Sequence, residues 1–231
     1  MENVHAERSA GWSALAYVAV LIVATLLTIG MPSIDMRPAD AALAIDEHRT
    51  TFLLGAWLTF PAAGFFLWFL TGLRTYLGHA PGRQEGLPTF AVLAGVVMMA
   101  SSLFAAALQT AALYQPPDVF AANSLISLSN AFVFSQAGLG YAPVAIFLLG
   151  AAHSMRRHHS APQWLARLGY LAAACAGIST LSIFFGGVLA PGGVVSAIVG
   201  ALPAAAWLVA TGLELIQNKR GSASSSTPAA S

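Results

Sequence analysis

The sequence predicts an all-α fold: a polytopic membrane protein of six transmembrane helices with both termini in the cytoplasm. Three observations lead there. The chain has 231 residues, of which 57% are hydrophobic and only 8% charged, whereas soluble domains carry about a quarter charged residues. Six apolar stretches run Trp12–Gly30, Thr51–Leu73, Leu87–Tyr114, Asn123–Ala152, Leu168–Ala190 and Gly193–Leu213, and no Lys or Arg falls inside any of them. Each has at least 19 residues, enough at about 1.5 Å per residue to cross a hydrocarbon core of roughly 30 Å.

The N-terminal segment, residues 1–11, reads as cytoplasmic. It carries Glu2, Glu7 and only Arg8, and the apolar run after it exceeds the 7–15 residues of a secretory h-region. The first span therefore reads as a retained helix. The outer segment after it holds Asp35, Arg37 and Asp40, and Pro38 followed by Asp40 marks a helix start. No breaker appears before Pro61, so this helix is expected to run from Ala39 to Leu73, about 52 Å, with a kink at Pro61. Asp46 and Arg49 are three apart on it and are expected to pair.

The third span opens with Pro88, Phe90 and Gly95, the fifth with Pro162, Trp164 and Gly169. Both follow a basic loop, which reads as a weak internal repeat. In each, proline is tolerated in the first turn, the aromatic sits at an interface, and glycine lets a neighbouring helix approach. Gly138, Gly140 and Pro143 are expected to distort the fourth span, and Gly169, Ala173 and Gly177 to form a close seam on the fifth. The last hairpin turns through Gly186-Gly187 and Pro191-Gly192-Gly193. The transmembrane domain spans 12–217, and the tail 218–231, rich in Ser and Ala, is expected to be disordered.

Topology follows from the cations. Arg8, Arg74, Arg83, Arg156, Arg157, Arg167, Lys219 and Arg220 share one side, eight in all; Arg37 and Arg49 are the two on the other. The positive-inside rule then puts the termini in the cytoplasm of a bacterial inner membrane. A net charge of +1 without a basic stripe excludes a nucleic-acid partner. The partners expected are membrane lipids, a second copy of the chain or another membrane protein. The single cysteine, Cys175, excludes a disulfide framework and reads as a packing residue. No Walker motif, dinucleotide fingerprint or metalloprotease motif is present. No two histidines face each other at mid-span, and no cofactor or metal is expected.

Two groups of residues carry chemistry. On an ideal helix Asn123, Ser127, Asn130 and Tyr141 form one polar stripe of the fourth span, with Ser129 and Gln136 on nearly the opposite face. With Gln109 of the third span, Arg49 and Asp118, that stripe is expected to line an outward-facing ligand cavity. Asp46, Glu47 and Asp118 are the candidate catalytic carboxylates of an alternative reading. That reading is an intramembrane enzyme on a lipid-like or isoprenoid substrate, using burial to raise a carboxyl pKa. A third reading is a non-catalytic subunit of a membrane complex. His153, Arg156, His158 and His159 belong to a basic loop suited to water or lipid headgroups.

Residues 161–169, Ala-Pro-Gln-Trp-Leu-Ala-Arg-Leu-Gly, follow the short basic loop. This stretch resembles the P-x-W-L-x-x-x-G entry of a family of six-span bacterial integral membrane proteins, a domain of unknown function common in actinobacteria. The resemblance implies six spans and brings no activity with it.

Overall fold

The computed structural model describes residues 2–31, 36–78, 86–114 and 127–217. It is all-helical, and six segments are long and apolar enough to cross a membrane: Ala6–Leu27, Ala39–Gly78, Gly86–Tyr114, Ser127–His158, Gln163–Phe184 and Gly187–Gln217. These match the six stretches seen in the sequence. The tail 218–231, Lys219, Arg220, Asp118 and Asn123 lie outside the described residues.

Helix α1 spans Glu2–Leu27, three turns longer at its start than the apolar run. Hydropathy marks where charge begins, while the helix continues because Ala10 and Gly11 pack on neighbours. A Cβ on Gly11 would lie 2.5 Å from the Gly212 carbonyl oxygen. That close approach puts the start of α1 and the end of the last helix at one end of the bundle. Glu7, which the sequence placed in a solvated segment, is buried there and is not free of partners.

Helix α2 spans Pro38–Trp57 and α3 spans Thr59–Gly78. The start is as the sequence indicates, with Pro38 in the first turn and Arg37 Nε donating to Asp40 Oδ2 at 2.8 Å. The disturbance expected at Pro61 appears as an interruption at Leu58. Pro61 has no N–H for the Trp57 carbonyl, and its ring crowds that carbonyl, so the disturbance falls one turn before the proline. Helix α4 spans Gly86–Tyr114.

The fourth span is the least regular. Helical residues 127–133 (α5) run into a π-helical segment, Phe134–Gly138. A turn at Leu139 and Gly140 follows, then α6, Tyr141–His158. Gly140 is required here: a Cβ would collide with the Ser135 carbonyl oxygen and lie 2.6 Å from that of Gln136. Ser182 Oγ donates to the Ala137 carbonyl at 3.5 Å. Helix α7, Gln163–Ser179, tightens into a 3-10 turn at Thr180–Phe184. The fifth span thus stops before the Gly186-Gly187 pair, short of the expected Ala190. Helix α8, Val194–Gln217, carries Pro203 inside it.

The helices pack as a closed ring in the order α1, α3, α4, α6, α7, α8 and back to α1. A column of aromatic rings fills it. Tyr17 and Phe66 have centroids 4.9 Å apart, Phe66 and Phe147 5.6 Å, and Phe147 and Trp207 5.7 Å. All four side chains are buried, so the ring is a packed core and not a pore. Outside, large apolar residues face away from the protein, including Leu26, Phe60, Phe104, Phe184 and Leu202. Inside, Gln109, Ser154 and Thr211 are buried. Apolar outside and partly polar inside is the reverse of a water-soluble bundle and suits hydrocarbon as solvent.

The internal repeat has a packing counterpart. Phe90 and Trp164 both point outward, half exposed. A Cβ on Gly95 would lie 2.8 Å from a Leu70 methyl, and one on Gly169 2.7 Å from Trp207 Nε1. The seam expected along α7 is real at Gly169 and Ala173 but ends before Gly177, which has open space around it.

Candidate functional site

Three irregular backbone segments converge on one small pocket of about 100 Å³. It runs from mid-bundle, at Tyr17, Ala62 and Met99, toward the end away from the termini, at Thr28 and Gln109. Gly55 and Thr59 flank the break at Leu58; Phe132 and Gln136 flank and occupy the π segment; Thr28 lies just beyond α1. Its polar lining comes from Tyr17, Thr25, Thr28, Thr59, Ser102, Gln109 and Gln136. Thr25 and Gln136 are exposed and rim the opening.

The polar groups are partly committed already. Thr28 Oγ1 donates to the Ala24 and Thr25 carbonyls at 3.1 and 3.0 Å, and Ser102 Oγ to Met98 at 3.1 Å. Their oxygen lone pairs stay available as acceptors. Gln109 is buried and its Nε2 reaches Met31 Sδ at 3.1 Å, a weak acceptor. Met31 also packs on a small cluster of Ile45, Phe52 and Leu113 that seals α2 against α4. On the other side of the π segment lies an apolar surface groove of about 460 Å³, lined by Phe104, Phe134, Ser135 and Leu139 among others.

Of the described residues expected to bind ligand, Gln109 lines the pocket, and Arg49, Ser127, Asn130 and Tyr141 do not. The polar stripe of the fourth span dissolves because the π segment winds more loosely than an α-helix and rotates everything after it. Tyr141 turns onto α8, where a Cβ on Gly200 would fall inside its ring. Ser127 is exposed, Asn130 is half-buried, and neither reaches the pocket. Asn123 lies outside the described residues. Gln136, assigned by ideal periodicity to the opposite face, is the group that joins Gln109. The sequence signal for it was present in Gly138 and Gly140, two helix-weakening residues just after it.

Arg49 does not pair with Asp46: among the described residues the ion pair is Arg37 with Asp40. Its guanidinium lies 5.6 Å from the Tyr114 ring centroid instead, joining α2 to α4 about 7 Å beyond Gln109 along the helix. Asp46 and Glu47 are exposed on α2, without the burial that the enzymatic reading needs. Asp118 lies outside the described residues. No three His, Cys, Asp or Glu side chains come close enough to share a metal ion among the described residues.

A second and larger cavity, about 860 Å³, lies at the termini end between α6 and α7. Basic side chains line it, and His153 Nδ1 and Tyr170 Oη share a 3.0 Å hydrogen bond across it.

No protein-family model, curated protein or solved structure matches this chain.

Proposed function

We propose that this chain is a multi-pass protein of a bacterial cytoplasmic membrane, termini inside, that binds or carries a small amphiphilic molecule. The polar part of the ligand occupies the pocket at Gln109 and Gln136, and its apolar part lies along the neighbouring groove beside Phe104 and Phe134.

The observation that carries this reading is the convergence of the Leu58 break and the π segment on one pocket with a partly polar lining. In hydrocarbon, irregular backbone is tolerated where protein or a polar cavity surrounds it. Interrupted helices and π-bulges recur at binding sites. Ser101 and Ser102, adjacent on α4, place one residue in the groove and one in the pocket, so the two lie side by side on that helix.

Native mass spectrometry of protein released from lipid nanodiscs tests it. The wild type is expected to retain one discrete amphiphile. Gln109→Leu with Gln136→Leu is expected to weaken that retention by about tenfold or more, since the first removes a buried hydrogen-bonding partner and the second one at the pocket's rim. A spectrum holding only mixed bulk lipid, unchanged in the double variant, would sink the reading and move weight to a partner-subunit role.

A further inference from the structure

The larger cavity at the termini end is independent of the pocket at Gln109 and has the opposite chemistry. We propose that it is a binding site for a phosphate ester, such as the phosphate of an anionic lipid headgroup or of a soluble phosphorylated metabolite.

Two helix faces build it. His153, Arg156 and Arg157 recur at three and four residues on α6, and Gln163, Arg167 and Tyr170 recur at four and three on α7. The hairpin between them folds these faces toward each other, and the His153–Tyr170 hydrogen bond ties them together. Three guanidinium groups and two imidazoles, those of His153 and His159, line about 860 Å³. No carboxylate lines it and none pairs with these arginines among the described residues.

Ordinary explanations account for part of this charge. The negative end of α6 favours Arg156 and Arg157, and loops on the inner side of a membrane accumulate cations. The dipole does not explain Arg167. It sits in the second turn of α7, near the positive end of that helix, where the dipole offers a cation nothing. Arg167 nevertheless lines the same cavity as Arg156 and Arg157, where like charges repel and a bound anion relieves the repulsion. The backbone gives a second indication. His159 closes α6 in the left-handed conformation, φ 47 and ψ 31, which a glycine would adopt at no steric cost. An imidazole occupies the position and lines the cavity.

Phosphate is the anion that fits best. Guanidinium forks match its oxygens two at a time, and a phosphate ester accepts from several donors arranged around it. Gln163, in the first turn of α7, adds an amide donor from the cavity wall. Exposed Trp164 beside it suits a membrane interface, where a lipid headgroup would arrive.

The test uses the full chain in nanodiscs of phosphatidylcholine with and without phosphatidylglycerol, read by native mass spectrometry, with glycerol 1-phosphate as a soluble competitor. Wild-type protein is expected to retain phosphatidylglycerol selectively, or to be thermally stabilised by glycerol 1-phosphate in phosphatidylcholine alone. The first result identifies the lipid form of the ester and the second the soluble form. Arg167→Gln is expected to weaken whichever binding is found by about tenfold. Arg156→Gln, on the facing helix, is expected to do the same and carries the test if the first variant does not fold. Arg74→Gln removes the same charge from an exposed site at the same end but outside the cavity, and is expected to leave binding unchanged. Equal losses in Arg74→Gln and Arg167→Gln would reduce the effect to net charge and overturn the proposal. Absence of both lipid selectivity and stabilisation would overturn it as well.

Discussion

Phe147→Ala is expected to lower the unfolding free energy by about 3 kcal/mol or more, the range found for deleting a buried aromatic ring. Phe147 is 1% exposed and stands at the centre of the ring of helices. Its ring meets Phe66 of α3 and Trp207 of α8, at angles of 71° and 85°. Such edge-on aromatic pairs contribute about 0.5–1.5 kcal/mol each beyond the area they bury. The vacated volume has no easy way to refill. Gly95 and Leu70 already pack tightly on one side, and Trp207 is pinned by Gly169 on the other. In lipid there is no hydrophobic gain from bringing helices together, so packing of this kind carries much of the stability. Leu149, two residues further along α6 and half exposed, is the control. Its change to alanine should cost less than about 0.5 kcal/mol, as for a surface site. Reversible unfolding in mixed micelles measures both.

Gly140→Ala is expected to abolish the pocket while leaving the bundle folded. The added methyl would collide with the Ser135 carbonyl oxygen and crowd that of Gln136, both within the same backbone loop, so no side chain can move aside to relieve it. The chain must leave the π conformation, and Gln136 then turns away from Gln109. Overpacking of this kind costs about 1–3 kcal/mol, less than the core deletion, but its functional effect should be larger. Retention of the amphiphile should fall by at least about tenfold. Gly64→Ala is the matched control. Nothing lies within 4 Å of a Cβ there, and in a helix interior the change should stabilise by roughly 0.5–1 kcal/mol. Helical content by circular dichroism should stay near that of the wild type in both.

The six spans were legible because long apolar runs are separated by segments that carry charge or, between the last two, by Pro191 and Gly192. The helix start at Pro38 and the disturbance from Pro61 were legible from local chemistry alone. Ideal periodicity failed where the backbone departs from 100° per residue. Asn130 and Tyr141 share a face on paper, yet the π segment between them sends Tyr141 to Gly200 and brings Gln136 to the pocket. Gln109 was found because a lone amide in an apolar span must turn inward. Arg49 went unpaired with Asp46 because a ring from another helix, Tyr114, competed for it, and no single-helix argument sees that competitor. The basic loop was visible as a topology signal, but its cavity was not. Arg167 joins His153 and Arg156 only once α6 and α7 have folded onto each other.

The central claim is a polar pocket in the half of the bundle away from the termini, reached from the side opposite them. Thiol labelling tests it most directly. Cys175 is the only native cysteine, so Cys175→Ala gives a clean background for Ser102→Cys and Gln136→Cys. A small membrane-impermeant methanethiosulfonate added outside right-side-out vesicles should label both, and adding Gly140→Ala should suppress the reaction at position 102. Ala151→Cys, at a fully buried core site, should stay unreactive. Labelling of Ser102→Cys and Gln136→Cys from the inner face alone, or no faster than Ala151→Cys from either face, would contradict the account.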